Sequence, residues 1–287
     1  MSAGAGPIDS KSPAPSASVI TRIATAAALI PFLVATIWFG TLPVVGGVLG
    51  LFLLAACYEW SVLSGLVGGV RLAFIITTLA VVVLIAFDFG NSTIRAYLLG
   101  AACVWWLLAA VLVFGAQLGH PVKLANRVML GLLGWVALVP SFFALLWLHE
   151  LAPIKLLTLV ALVWTADTMA FFAGRRWGRT RLADRVSPGK TWAGAWAAMG
   201  GGIGVAVGIN VWIDPKPENL AEVALVAAVT TAIAIIGDLF ESLMKRRHGF
   251  KDSGTLLPGH GGVLDRIDGL IAAAPVYASC ILIQAQF

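Results

Sequence analysis

Asp167, Asp238, Asp265 and Asp268 stand inside, or at the edge of, stretches that are otherwise hydrocarbon. Asp167 lies in VWTADTMAFFAG and Asp238 in IAIIGDLFESLMKR, each seven residues before the expected cytosolic end of its apolar segment. Asp265 and Asp268 fall where a third segment begins. At 1.5 Å per residue the first two lie about 10 Å inside the apolar boundary. An aspartate there costs about 3 kcal/mol unless it is paired, hydrated or bound to a cation. Asp265 and Asp268 are spaced i, i+3 and share a helix face, as do Asp238, Glu241 and Ser242 at i, i+3 and i+4. Two such faces meeting would offer the hard oxygens that Mg²⁺ takes when it bridges carboxylates to phosphates. The plainer alternative is that Asp238 and Asp265 pair with Lys245 and Arg266, and both readings stand at this level.

Cations and glycines surround these acids. In GHGGVLDR, Gly259, Gly261 and Gly262 let the backbone approach a ligand just before a helix N-terminus, where free N–H groups favour anions. Lys245, Arg246, Lys251 and His260 add positive charge suited to a polyphosphate, although His260 alone reads equally well as an ordinary loop histidine. The element SPGKTW (187–192) supplies the hydroxyls of Ser187 and Thr191, the Lys190 ammonium and the start of a helix. It is not a Walker A loop, because Asp184 stands where a glycine is required.

The elements that position these groups follow from composition. Of 287 residues 60% are hydrophobic and only 11% charged, with a mean hydropathy of +0.94. Soluble domains carry about 25% charged residues, so the chain reads as an all-α, polytopic integral membrane protein. Segments at 23–42, 44–63, 72–89, 96–116, 128–148, 155–174, 191–212, 221–243 and 268–286 predict nine transmembrane helices. Of nineteen Lys and Arg residues only Arg95, Lys155 and Lys216 fall outside the cytosol when the N-terminus is cytosolic and the C-terminus outside. Residues 1–18 read as a disordered cytosolic tail with no cleavable signal, 19–127 as N-terminal membrane helices, and 128–287 as a catalytic membrane region with cytosolic loops at 174–192 and 244–267. Cys57, Cys103 and Cys280 lie in apolar runs without metal-ligand spacing and read as small buried hydrophobes.

The stretch SLMKRRHGFKDSGTLLPGHGGVLDRID (242–268) resembles the signature of phosphatidate cytidylyltransferases, also called CDP-diacylglycerol synthases. That pattern runs S-x-x-K-R, K-D, an apolar–Pro pair, H-G-G and D-R-x-D. It is met here by Ser242, Lys245, Arg246, Lys251, Asp252, Leu257, Pro258, His260, Gly261, Gly262, Asp265, Arg266 and Asp268. SPGKTW resembles a second element of the same family, with Gly189 in place of a lysine and Ala193 in place of a glutamate. The resemblance implies a membrane enzyme, commonly dimeric, that joins CTP to phosphatidic acid and releases pyrophosphate. It also implies Mg²⁺ with a monovalent cation, often K⁺, beside it, an active site facing the cytosol at the inner membrane, and no nucleic-acid partner. Residue chemistry and resemblance together assign Asp238, Asp265, Lys245 and Arg246 to catalysis, and Asp167, Asp238, Asp265 and Asp268 to metal. They assign Ser187, Lys190, Thr191, Lys251, His260, Gly261 and Gly262 to substrate phosphate.

Two other classes fit less well. A cation-coupled transporter would also bury aspartates, but nearer the midplane and with internal repeat symmetry, which the sequence does not show. A scaffold whose basic loops bind anionic lipid leaves the buried acids unexplained. Among enzymes, the CDP-alcohol phosphotransferase motif D-G-x-x-A-R is missing. A relative acting on another lipid phosphate would carry the same nucleotide motif.

Overall fold

A computed structural model of the chain describes residues 19–120, 127–214, 219–247, 249, 250, 252–254, 256 and 261–284, with side-chain surroundings from residue 27 onward. Nine helices occur among these residues: α1 Val19–Phe39, α2 Leu42–Leu63, α3 Gly68–Asp88, α4 Ser92–Gln117, α5 Arg127–Leu151, α6 Pro153–Trp177, α7 Trp192–Ile213, α8 Leu220–Arg247 and α9 Leu264–Gln284. Eight of them, α2 to α9, are long and apolar enough to cross a membrane, and the chain is a multi-pass membrane protein. The tail expected over residues 1–18 lies outside the described residues.

The helices coincide with the apolar segments, most reach a few residues further than hydropathy indicates, and three of them run into charged residues. The segment at 155–174 continues as α6 to Trp177, that at 221–243 as α8 to Arg247, and that at 268–286 begins as α9 at Leu264. Electrostatics accounts for the extensions. α6 ends on Arg175 and Arg176, and α8 on Lys245, Arg246 and Arg247, where cations meet the negative end of the helix dipole. Asp265 occupies the first turn of α9, at the positive end. Polar residues expected in loops therefore stand on helix ends, with fixed directions.

The stretch between α6 and α7 contains a small hairpin that hydropathy does not reveal. β1 Arg181–Ala183 pairs antiparallel with β2 Ser187–Thr191, Arg181 opposite Thr191 and Ala183 opposite Ser187, with an irregular register between them. Its turn is fastened to two helix ends: the Arg185 N–H donates to Gln117 Oε1 of α4 (3.0 Å), and Arg246 Nε of α8 donates to the Val186 carbonyl (2.8 Å). The C-terminal ends of α4, α6 and α8 thus gather at one end of the bundle, together with the start of α9.

Two contacts fix which way α8 faces. Against α9 it carries Gly237, where a Cβ would come within 2.6 Å of Ala272 Cβ and 2.7 Å of the Asp268 carbonyl oxygen. Small residues let membrane helices approach this closely and gain dispersion contact that longer side chains would block. Toward α2 and α4 it carries Phe240, 1% exposed. Its ring stacks on Trp60 at 6.3 Å and meets Trp105 and Trp106 edge-on at 5.4 and 6.1 Å. With these two residues locked, Asp238 and Glu241 on either side of Phe240 have no freedom to rotate away from α9.

Replacing Phe240 with Ala empties the space between three indoles and should cost about 3 kcal/mol. The thermal midpoint in detergent should fall clearly for Phe240→Ala and less for Phe240→Leu. An unchanged midpoint for the Ala variant would show that this aromatic contact does not hold α8.

Candidate active site

Asp238, Glu241, Ser242 and Lys245 recur along α8 at helical spacing and form its polar face. The hairpin carries Lys190 across to this face, where its Nζ lies 2.7 Å from Asp238 Oδ2. The contact is an ion pair without hydrogen-bond alignment. Asp167 of α6 interacts electrostatically with Asp238, Lys190 and Arg266. Asp268 of α9 does so with Asp238, Glu241 and Lys190. Neither oxygen of Glu241, which is 3% exposed, has a hydrogen-bond donor.

Asp265 is the best-connected acid of the set. Lys245 Nζ lies 2.7 Å from its Oδ1 and 3.5 Å from Glu241 Oε1, so one ammonium serves two carboxylates on two helices. The Ser253 N–H donates to both Asp265 oxygens, at 3.1 and 3.0 Å, and the Gly262 N–H donates to Oδ2 at 2.9 Å. Charge-assisted bonds of this kind are about twice as strong as neutral ones. The sequence left open whether Asp238 and Asp265 pair with Lys245 and Arg266. The structure pairs Lys245 with Asp265 and gives Asp238 to Lys190.

The other expected site residues occupy distinct places around this centre. Arg246 reaches back to the Val186 carbonyl and so ties α8 to the hairpin. Ser187 is half-buried at the start of β2. Thr191 is buried and caps α7, its Oγ1 accepting from the Gly194 N–H at 3.2 Å. Gly261 takes a φ of 81°, in the left-handed region, and turns the chain so that Gly262 can present its N–H to Asp265. Lys251 and His260 lie outside the described residues. One acid was missed altogether. Glu59 of α2 is 0% exposed and accepts from Ser253 Oγ and from the Val263 and Leu264 N–H groups. Its signal was present, since CYEWS places a carboxylate inside an apolar span just as ADT and GDL do.

Five carboxylates (Asp167, Asp238, Glu241, Asp265 and Asp268) thus face Lys190, Lys245 and Arg266. Among the described residues no three His, Cys, Asp or Glu side chains stand in an arrangement able to hold a metal ion. Lys190 and Lys245 occupy oxygens of Asp238 and Asp265. The acids still exceed the cations, and Glu241 offers two buried oxygens without donors.

Beside the charged cluster opens a cavity of about 440 Å³ between α1, α2, α5, α6 and α9. Its walls are apolar, with Leu33, Leu53, Phe142, Trp164, Leu270 and Ile271 among them, and it ends at Asp167, Asp265 and Arg266. The arrangement is an apolar slot with a charged head, next to cations that can meet anionic groups.

Lys245 and Asp265 are 14% and 9% exposed, so removing one partner strands the other charge. Lys245→Met should lower stability by about 3 kcal/mol. Adding Asp265→Asn should restore part of the thermal midpoint instead of deepening the loss. Simple additivity of the two losses would show that the ions do not depend on each other.

Comparison with known proteins covers nearly the whole chain. The model of the cytidylyltransferase family matches residues 20–284. A Pseudomonas aeruginosa protein named phosphatidate cytidylyltransferase is 35% identical over 270 residues, covering 91% of this chain and 96% of the relative. One of the same name from Haemophilus influenzae is 37% identical over 62% of this chain and 65% of its own length. Another, from Brucella abortus, is 49% identical over 40% of this chain and 42% of its own. With a family match that runs from α1 to the last turn of α9, and a relative aligned over nearly its whole length, this chain belongs to the cytidylyltransferase family.

Proposed function

We propose that the protein transfers the cytidylyl group of CTP to phosphatidic acid, giving CDP-diacylglycerol and pyrophosphate. The observation that carries this reading is the apolar cavity ending at Asp167, Asp265 and Arg266, beside Lys190 of the hairpin, Lys245 of α8 and the carboxylates of α8 and α9. A lipid phosphate fits that shape, with its chains in the slot and its headgroup at the charges. A water-soluble acceptor would leave the slot unused. The names of the relatives agree with the reading.

Both reactants are anions, and an oxygen of the lipid phosphate must attack the α-phosphorus of CTP in line while pyrophosphate leaves. The protein therefore has to align them and offset their charge. No strong base is required, because a phosphate monoester has a second pKa of about 6 and is largely ionised at neutral pH. Lys190 and Lys245 are the mobile charges of the site. Each pairs with a carboxylate and would share its charge with the phosphate oxygens of a bound nucleotide. Arg266, at the end of the slot, meets the lipid phosphate. Arg246 keeps the hairpin, and with it Lys190, at the right distance through Val186. Gly261 and Gly262 form a tight turn that lets phosphate come close to the start of α9, the Gly262 N–H being given to Asp265, and Ser187 and Thr191 contribute hydroxyls from β2. Lys251 and His260 add to the triphosphate side on the strength of the family signature.

The donor set suits a hard cation. Among the described residues no three of these acids are arranged around one point while Lys190 and Lys245 lie on Asp238 and Asp265. With those ammoniums drawn toward phosphate, Asp238, Asp265 and Asp268 would hold Mg²⁺, with Asp167 at the edge. Glu241, met only by Lys245 at 3.5 Å, adds to the surplus of acids that such an ion would meet. A bound Mg²⁺ would neutralise phosphate charge, and the same carboxylates would serve a monovalent cation such as K⁺. We further place this end of the bundle on the cytosolic side of the inner membrane, from the distribution of Lys and Arg. Homodimerisation rests on the family resemblance.

Purified protein in nanodiscs should form CDP-diacylglycerol and pyrophosphate from CTP, phosphatidic acid and Mg²⁺. Asp238→Asn should lose about 100-fold or more in kcat while remaining folded. Leu33→Trp, which fills the slot, should raise the KM for long-chain phosphatidic acid and leave that for CTP unchanged. Folded wild type that makes no product from phosphatidic acid, yet uses another lipid phosphate, would overturn the choice of acceptor. Failure with every lipid phosphate would overturn the reaction.

A further inference from the structure

Glu59 takes no part in the transfer described above, yet it is the most deeply buried carboxylate among the described residues, at 0% exposure. No Lys, Arg or His among those residues forms an ion pair with it. Its charge is met instead by three donors: Ser253 Oγ to Oε2 (3.0 Å), the Val263 N–H to Oε1 (3.0 Å) and the Leu264 N–H to Oε2 (2.7 Å). The last two are unsatisfied N–H groups at the start of α9, where the helix dipole also favours a negative charge. Glu59 thus caps α9 from another helix.

The fit is specific to an acceptor. Among the described residues the polar groups that meet Glu59 all donate to it, and an ionised carboxylate is the side chain that only accepts. The backbone is shaped around it: a Cβ at Gly262 would lie 2.6 Å from Oε2, and one at Gly254 would overlap Oε1. Ser253 joins this contact to the active site, because its hydroxyl donates to Glu59 while its N–H donates to both oxygens of Asp265. The two carboxylates grip one residue from two sides. The same α2 helix lines the apolar slot with Phe52, Leu53 and Ala56, one turn and more before Glu59.

We propose that Glu59 is a positioning residue for the transfer reaction. It holds Ser253 and the first turn of α9 in register, so that Asp265 meets Lys245 and the Gly262 turn meets the nucleotide phosphates. The proposal rests on the reaction assigned above, and its test has one readout that does not depend on that assignment.

The test compares wild type, Glu59→Gln and Ser253→Ala in nanodiscs by steady-state kinetics and hydrogen exchange. Gln keeps the size but turns an N–H₂ toward donors; Ala at Ser253 removes only the hydroxyl link. The expected result for Glu59→Gln is a KM for CTP raised about tenfold or more, with the KM for phosphatidic acid unchanged. Exchange should quicken in peptides covering 261–268 while the middle of α5 stays protected. Ser253→Ala should shift both readouts the same way by less, and the double variant should be no worse than Glu59→Gln. Wild-type CTP KM and wild-type exchange in both single variants would overturn the proposal. So would a general loss of protection with KM unchanged, which is the mark of a purely structural acid. Inactive wild type would defeat the assigned reaction, whereas the exchange pattern would still decide whether Glu59 holds α9.

Discussion

A carboxylate cannot sit among hydrocarbon helices without a partner, and the contact that answers this constraint most fully is the one around Asp265. Its two oxygens receive the Lys245 ammonium from α8, the Ser253 N–H from the stretch after α8, and the Gly262 N–H from the turn before α9. Three separate pieces of chain are thereby tied to one helix start. Loss of any donor would leave this already desolvated acid short of a partner, so the pieces hold one another in place. Lys190 and Asp238 repeat the device with a longer reach, between the hairpin and α8.

The apolar packing makes such closeness possible. Gly237 brings α8 against the backbone of α9 at Asp268, and Phe240, boxed by Trp60, Trp105 and Trp106, stops α8 from turning. Acids on the two helices are forced together despite their repulsion. The site thereby holds more acids than the cations Lys190, Lys245 and Arg266 that face them. Such a surplus favours incoming cations, while two lysines remain able to exchange a carboxylate for a phosphate. The apolar slot that ends at Arg266 borders the same centre. The proposed transfer between a nucleotide and a lipid phosphate would use all three features.

Hydropathy is a local property, which is why the apolar segments were legible and the helix ends were not: α6 and α8 run on through their terminal cations, which read as loop residues. The acids at Asp167, Asp238, Asp265 and Asp268 were legible for the same local reason, each being a charge out of place. Pairing was not. Lys190 and Asp238 stand on elements separated by the whole of α7, and the Glu59 contact to Val263 joins positions 204 apart, so no spacing rule announces either. The hairpin escaped because Ser187–Thr191 lacks the alternation of apolar and polar residues that marks a strand. Thr191 read as a phosphate ligand because its hydroxyl is adjacent to Lys190. That hydroxyl also caps α7, a role that depends on where the helix begins.

The central claim is that CTP and the lipid phosphate meet directly in one site, with no covalent nucleotide–protein intermediate. The most direct measurement is the stereochemical course at the α-phosphorus, followed with one diastereomer of α-thio-CTP and phosphatidic acid. A single in-line displacement predicts inversion of configuration in the lipid product. Retention would require two displacements through a cytidylylated side chain and would contradict the account.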